Sequence, residues 1–149
     1  MSNQNPIVCA TRGGEGSRAV QQAAIKRAKE SGNPLIFLYV TDPYNLGEFD
    51  KILIPFVHEE LEWMGETLLR TAQRRAEAAQ LHSEARVRQG NVREEICRFL
   101  KDANASLLLL GAPRGTTANV FGDDAVEKIA RQIMDATGVK VEVVRPEDI

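Results

Sequence analysis

Short strand-like runs recur five times along the chain, separated by longer segments whose apolar residues return at helical spacing; four runs are mainly apolar, and one alternates polar and apolar residues. Runs that are apolar on both faces are typical of strands in a sheet that is covered on both sides. Strands separated by helices pair in parallel through right-handed crossovers. We therefore predict an α/β fold with a five-stranded, parallel, doubly wound sheet and helices on both faces. The predicted strands are Ile7–Thr11, Pro34–Val40, Glu84–Arg88, Ser106–Leu110 and Lys140–Val144.

Four helices are predicted between these strands. The hydroxyl of Ser17 is expected to cap the first helix, and Gly90-Asn91 opens the third. The second runs from about Glu59 to Leu81 and the fourth from Asp123 to Thr137, whereas the segment from Tyr44 to His58 lacks a regular period. No linker or repeat divides the 149 residues, so one domain spanning residues 1–149 is expected.

Composition excludes several classes of protein. A net charge of −2 argues against a nucleic-acid binder, and two cysteines, Cys9 and Cys97, are too few for a disulfide scaffold or a four-cysteine zinc site. The longest apolar runs are far shorter than the roughly 20 residues that a membrane span needs. The first five residues lack the basic and apolar regions of a signal peptide. We therefore expect a cytoplasmic protein that binds neither nucleic acid nor membranes and holds no metal.

Two glycine-rich segments follow the two strands predicted to be central. The first runs from Thr11 to Ser17 and the second from Gly111 to Gly122. In doubly wound sheets, ligands bind outside the carboxyl ends of the strands where the strand order reverses. The sequence therefore predicts a ligand site at the carboxyl ends of strands 1 and 4.

The chain resembles the universal stress protein family from Pro6 to Pro146. The strongest segments are Val87-Arg-Gln-Gly90-Asn, followed by Ile96, and Ala103-Asn-Ala-Ser-Leu-Leu-Leu-Leu-Gly111. The resemblance implies strand order 3-2-1-4-5, pairing of two subunits through the last strand, and a small regulatory protein. ATP-binding members of the family carry an acidic residue closing strand 1 and a G-x2-G-x9-G-[ST] loop after strand 4, whose glycines admit phosphates to the backbone.

This sequence departs from that ATP loop in charge and in length. Arg114 replaces the second glycine, with Gly115 one position late, and ten residues rather than twelve separate Gly111 from Gly122. Asp123 follows Gly122 in place of a hydroxyl residue, so its carboxylate would repel a polyphosphate and occupy the helix amides. We expect a divergent pocket for ATP, AMP or another phosphate-bearing anion. The candidate ligand-binding residues are Thr11, Arg12, Gly13, Gly14, Val40, Val87, Gly111, Arg114, Gly115, Gly122 and Asp123.

A regulatory binding protein without a catalytic role is the leading functional hypothesis. A genuine ATP- or AMP-binding protein with slow ATP hydrolysis is the first alternative. The second is an enzyme like the ATP pyrophosphatases, whose S-G-G-x-D-S loop is partly matched by Arg12-Gly-Gly-Glu-Gly-Ser17.

Two segments are predicted to contact other chains. The last strand is expected at the edge of the sheet, where Val141, Val143 and Val144 would form a homodimer. The apolar segment Ile52 to Val57 is expected to contact a partner or second subunit, with a lid over the ligand site as the alternative.

Overall fold

The computed structural model describes residues 5–11, 15–41, 54–112 and 125–146. The strands are β1 (Ile7–Ala10), β2 (Leu35–Thr41), β3 (Ser83–Gln89), β4 (Leu107–Gly111) and β5 (Lys140–Val144). The helices are α1 (Glu15–Ser31), α2 (Ile54–Ala78), α3 (Val92–Ala103) and α4 (Ala125–Thr137).

The five strands form one parallel sheet in the order β3-β2-β1-β4-β5. The central strand β1 pairs with both β2 and β4, so Ile7 lies opposite Leu35 on one side and Leu107 on the other. The predicted fold class and strand order are therefore confirmed. The last strand β5 forms one edge, as predicted, and β3, in which polar and apolar residues alternate, forms the other.

Two apolar cores cover the two faces of the sheet. Cys9, Phe37 and Leu109 point towards α1 and α2, and they are fully buried there. Val8 and Leu38 point the other way, towards α3 and α4. Alternate residues of each central strand thus enter different cores, which explains why these strands contain almost no polar residue. Burial raises the pKa of the Cys9 thiol, which makes Cys9 a core residue rather than a reactive one.

Helix α2 begins at Ile54, five residues before the predicted start at Glu59. The predicted start rested on the lack of a regular period from Tyr44 to His58, a segment that contains Pro55. However, proline is tolerated in a first helical turn, where its missing N–H would have no partner within the helix. Part of the apolar segment Ile52 to Val57 is therefore helical, while residues 42–53 lie outside the described ranges.

Helix α2 lies unusually close to β2 at Gly65. A Cβ atom added to Gly65 would stand 2.4 Å from Cδ2 and 2.6 Å from Cε2 of the buried Tyr39 ring. Glycine at this position therefore allows the helix backbone to rest directly on the aromatic ring.

Helix α3 is fixed at both ends by asparagine. The side chain of Asn91 accepts a hydrogen bond of 3.0 Å from the amide of Glu94, as predicted for the start of this helix. Asn104 ends the helix in the left-handed conformation, with φ of 53°. Within the described ranges, none of the helices is long and apolar enough to cross a membrane.

Candidate functional site

The strand order reverses between β1 and β4. The chain leaving β1 enters α1 on one face of the sheet, and α4, the next described helix after β4, packs on the opposite face. We call the region between the carboxyl ends of these strands, at Thr11 and Ala112, the β1/β4 switch point. Backbone bonds hold both ends in the sheet, because Thr11 N donates to Leu38 O and Ala112 N to Val144 O, each at 2.9 Å.

Four of the predicted site residues lie in the described ranges. Thr11 is buried directly after β1, and Gly111 is half-buried at the end of β4. Val40 and Val87 lie on neighbouring strands but pack on opposite faces, Val40 with the α3/α4 core and Val87 with the α1/α2 core. The structure thus brings Thr11 and Gly111 to the switch point and separates Val40 from Val87.

The remaining predicted site residues belong to segments 12–14 and 113–124, which lie outside the described residues. The first segment starts directly after Thr11 and the second directly after Ala112. These residues are Arg12, Gly13, Gly14, Arg114, Gly115, Gly122 and Asp123.

A buried polar cluster that the sequence analysis missed lies beside the end of β1. It consists of Thr11, Ser17 and Gln21, and we call it the Thr11–Gln21 cluster. The two hydroxyls share a hydrogen bond of 2.6 Å, and Nε2 of Gln21 donates to Thr11 Oγ1 at 2.9 Å and to Ser17 Oγ at 3.0 Å. Thr11 and Gln21 are each 1% exposed and Ser17 is 8% exposed. The cluster thus ties the end of β1 to the first turns of α1.

This arrangement corrects the predicted role of Ser17. Helix α1 begins at Glu15, so Ser17 lies inside the first turn, and its hydroxyl bonds to Thr11 and Gln21. The two α1 residues are four positions apart, which places them on the same helix face. A sequence signal for this cluster was available. Ser17 and Gln21 lie on the same helical stripe as the buried Val20 and Ala24. Polar side chains buried in this way need hydrogen-bond partners.

Helix α2 completes the cluster from the other side. Nη1 of Arg75 donates a hydrogen bond of 2.5 Å to Oε1 of Gln21, so both ends of that amide are occupied. The amide and two hydroxyls together carry four polar protons, and three of them are used in the cluster. Among the described residues, one hydroxyl proton of the Thr11–Ser17 pair therefore has no assigned acceptor.

A second group of contacts orders the carboxyl ends of β2 and β3. The buried Thr41 accepts a backbone hydrogen bond of 2.8 Å from Gly90, and its hydroxyl lies 3.5 Å from the carbonyl oxygen of Arg88. The guanidinium carbon of Arg88 lies 5.0 Å from the centre of the Phe99 ring, a cation–π geometry. A positive charge is thus fixed in place at this end of the sheet.

A surface groove of about 760 Å³ lies between α1 and the edge strand β5. Arg27 and Glu142 form an ion pair of 2.6 Å at the groove, and Val143 and Val144 line it. The groove adjoins the edge strand, and the carbonyl of its lining residue Val144 accepts the hydrogen bond from Ala112. It is therefore part of the surface expected to contact a second subunit.

Comparison with known proteins gives a consistent result. A model of the universal stress protein family matches residues 4–145. None of the curated proteins matches the sequence significantly.

Solved structures match over nearly their full length. Universal stress protein UspA from Lactobacillus plantarum is 16% identical, with 97% of this chain and 100% of that chain covered and a TM-score of 0.73. A family protein from Burkholderia pseudomallei is 21% identical over 93% and 94% of the two chains, with a TM-score of 0.67. An Arabidopsis thaliana family protein with AMP bound is 13% identical over 95% and 91%, with a TM-score of 0.63. At these identities, the likeness establishes the fold alone.

Proposed function

Because the chain belongs to the universal stress protein family, we propose that it is a regulatory protein that binds a small phosphate-bearing ligand at the β1/β4 switch point. AMP represents the ligand class, since the Arabidopsis thaliana protein of similar fold was solved with AMP bound. A switch point is also where doubly wound sheets generally hold their ligands.

The observation that carries this proposal is the buried Thr11–Gln21 cluster. Its hydrogen bonds lock Thr11, and the chain continues from Thr11 directly into Arg12 and the Gly13-Gly14 backbone. The segment that we propose as the anion site therefore starts from a residue held by hydrogen bonds. A fixed starting residue lowers the cost of ordering such a segment around an anion.

The charges around the predicted pocket favour a monophosphate over ATP. Arg12 and Arg114 supply positive charge for one phosphate group, whereas Asp123 follows Gly122, where ATP-binding relatives carry a hydroxyl residue. A second and third phosphate would approach that carboxylate, and such like-charge contacts cost on the order of kilocalories per mole. We expect an ATP dissociation constant weaker than about 100 μM, with AMP or phosphate bound more tightly.

Isothermal titration with AMP, ATP and inorganic phosphate tests the proposal. Arg12→Ala should abolish anion binding, and Thr11→Val should weaken it, because valine keeps the shape of threonine but breaks the cluster. Thr71→Val, an exposed change on α2, is the matched control and should leave affinity unchanged. Tight ATP binding that Arg12→Ala does not affect would contradict the proposed pocket. Phosphate release from ATP with magnesium would instead favour the alternative of slow hydrolysis.

We also propose that two subunits pair through β5. This edge strand has β4 as its only hydrogen-bonded neighbour in the described sheet, so its other side offers free backbone groups. Val141 and Val143 pack with the α3/α4 core and Val144 with the α1/α2 core, so the edge strand carries apolar side chains on both faces, with Glu142 paired to Arg27 on the α1 side. Light scattering should give a dimer at micromolar concentration and a smaller species for Val143→Lys, with circular dichroism verifying that the variant is folded. A native monomer would refute this pairing.

A further inference from the structure

Helix α2 exposes large apolar side chains to solvent. Phe56 is 64% exposed and Trp63 is 62% exposed. They are seven residues apart, almost two full helical turns, so both lie on the same outward face. The residues of this α2 outer face that matter below are Phe56, Glu59, Trp63, Glu66, Arg70 and Arg74, and all are exposed.

Charge is segregated along this face. The amino-terminal half carries Glu59 and Glu66, and no lysine or arginine occurs between residues 54 and 69. The carboxyl-terminal half carries Arg70 and Arg74, which are four residues apart and therefore repel each other, and Glu77 follows them in the last turn. Within the described part of the chain, none of the first four of these side chains forms an ion pair. The face thus has an acidic half, a basic half and apolar side chains available for contact.

We infer that the α2 outer face binds the same face of a second copy of this chain, with the two helices antiparallel about a two-fold axis. An axis passing between Glu66 and Thr67 would bring Glu59 opposite the partner's Arg74. It would also place the Trp63 ring opposite the partner's Arg70, where a guanidinium can stack on indole. Each contact occurs twice, because an isologous interface repeats every pair.

The charge pattern selects this occupant and this orientation. A parallel arrangement would set glutamate against glutamate and arginine against arginine, which is unfavourable. A purely basic partner would complement the acidic half but would be repelled by Arg70 and Arg74. A second antiparallel copy complements both halves and covers the exposed apolar side chains.

This interface lies far from the β5 edge. Helix α2 packs over β2 and β3, and β3 is the edge of the sheet opposite β5. The two surfaces do not overlap, so pairing through α2 goes beyond the dimer proposed above and does not depend on ligand binding. With both interfaces in use, the assembly reaches a tetramer or a longer array.

Charge reversal gives a test that separates the two interfaces. Glu59→Arg alone places arginine against arginine, and Arg74→Glu alone places glutamate against glutamate, so each variant should associate through α2 at least about tenfold more weakly than the native chain. An equimolar mixture of the two variants has complementary charges at both contacts and should regain the association. Arg131→Glu, an exposed change on α4, is the control and should behave as the native chain.

Trp63 provides a local readout because it is the only tryptophan of the chain. On association, its emission should shift to the blue as the indole leaves water, and sedimentation velocity should record the larger species. Circular dichroism and a dimer retained through β5 would verify that each variant is folded. Equal masses and equal emission for the native chain and both single variants, up to millimolar concentration, would overturn the inference. Failure of the mixture to recover the native association would overturn it as well.

Discussion

Gly65→Ala probes the closest contact between α2 and the sheet. The new Cβ would lie 2.4 Å and 2.6 Å from two ring atoms of Tyr39, distances that real Cβ atoms do not tolerate. The ring cannot easily move away, because Tyr39 is buried in the α1/α2 core. We therefore expect the helix to be pushed off the sheet or the ring to be forced from its rotamer.

The magnitude follows from two opposing effects. Alanine favours a helix over glycine by about 1 kcal/mol. Overpacking a core costs about 1–3 kcal/mol, and two ring contacts below 3.0 Å place this site in the upper part of that range. The net loss in the free energy of unfolding should be about 1–2 kcal/mol, which lowers the melting temperature by about 2–8 °C for a chain of this size.

Urea and thermal denaturation of four variants test this prediction: Gly65→Ala, Tyr39→Val, the double variant of these two, and a control. The neighbouring exposed change Glu66→Ala is the control and should alter stability by less than about 0.5 kcal/mol. In a Tyr39→Val background, which removes both clashing ring atoms, Gly65→Ala should become neutral or stabilising. A Gly65→Ala variant as stable as the native chain, with no coupling to Tyr39→Val, would refute the close packing of α2 on this ring.

Two further predictions concern polar contacts. Gln21→Leu should lower the free energy of unfolding by about 2–3 kcal/mol in urea denaturation, because it leaves buried hydroxyls and the Arg75 guanidinium without their partner. A change below about 0.5 kcal/mol would contradict a buried cluster. The Arg145 guanidinium donates hydrogen bonds to Glu127 and holds the pKa of that carboxyl below its usual 4.5. The stability that native Glu127 adds over Glu127→Gln should therefore be full at neutral pH, begin to fall as the pH drops to 4.5, and be lost below the lowered pKa, whereas a pH-independent difference would contradict this linkage.

The sheet was predictable because its strands carry strong local signals. The run Leu107–Leu110 is apolar on both faces, which only a covered central strand requires, and its position after the third helix fixes its parallel pairing. The limits of the elements were less predictable. Pro55 looks like a helix breaker in isolation, and only its place in the first turn makes it compatible with α2.

The candidate site was less predictable than the fold. Glycines and charges near Arg12 and Arg114 pointed to a ligand, and the position of that ligand remains a prediction. The sequence did not reveal that Gln21 joins Thr11 to Arg75, because Arg75 lies on α2, more than fifty residues further along the chain. The local hydrophobic pattern indicates which face of a helix or strand a residue occupies. Its hydrogen-bond partner, however, depends on how elements distant in sequence pack together.

The Thr11–Gln21 cluster also constrains which amino-acid substitutions this sequence can accept during evolution. Removing one member leaves the others buried without partners, while replacing all members together by apolar residues of similar shape removes the unsatisfied groups as well. Single substitutions in the cluster should therefore lower the stability of the fold, whereas simultaneous substitution of all its members should not. Among relatives of this chain, positions 11, 17 and 21 should vary as a set, with the residue at position 75 retaining a charge only where an amide at position 21 accepts its hydrogen bond.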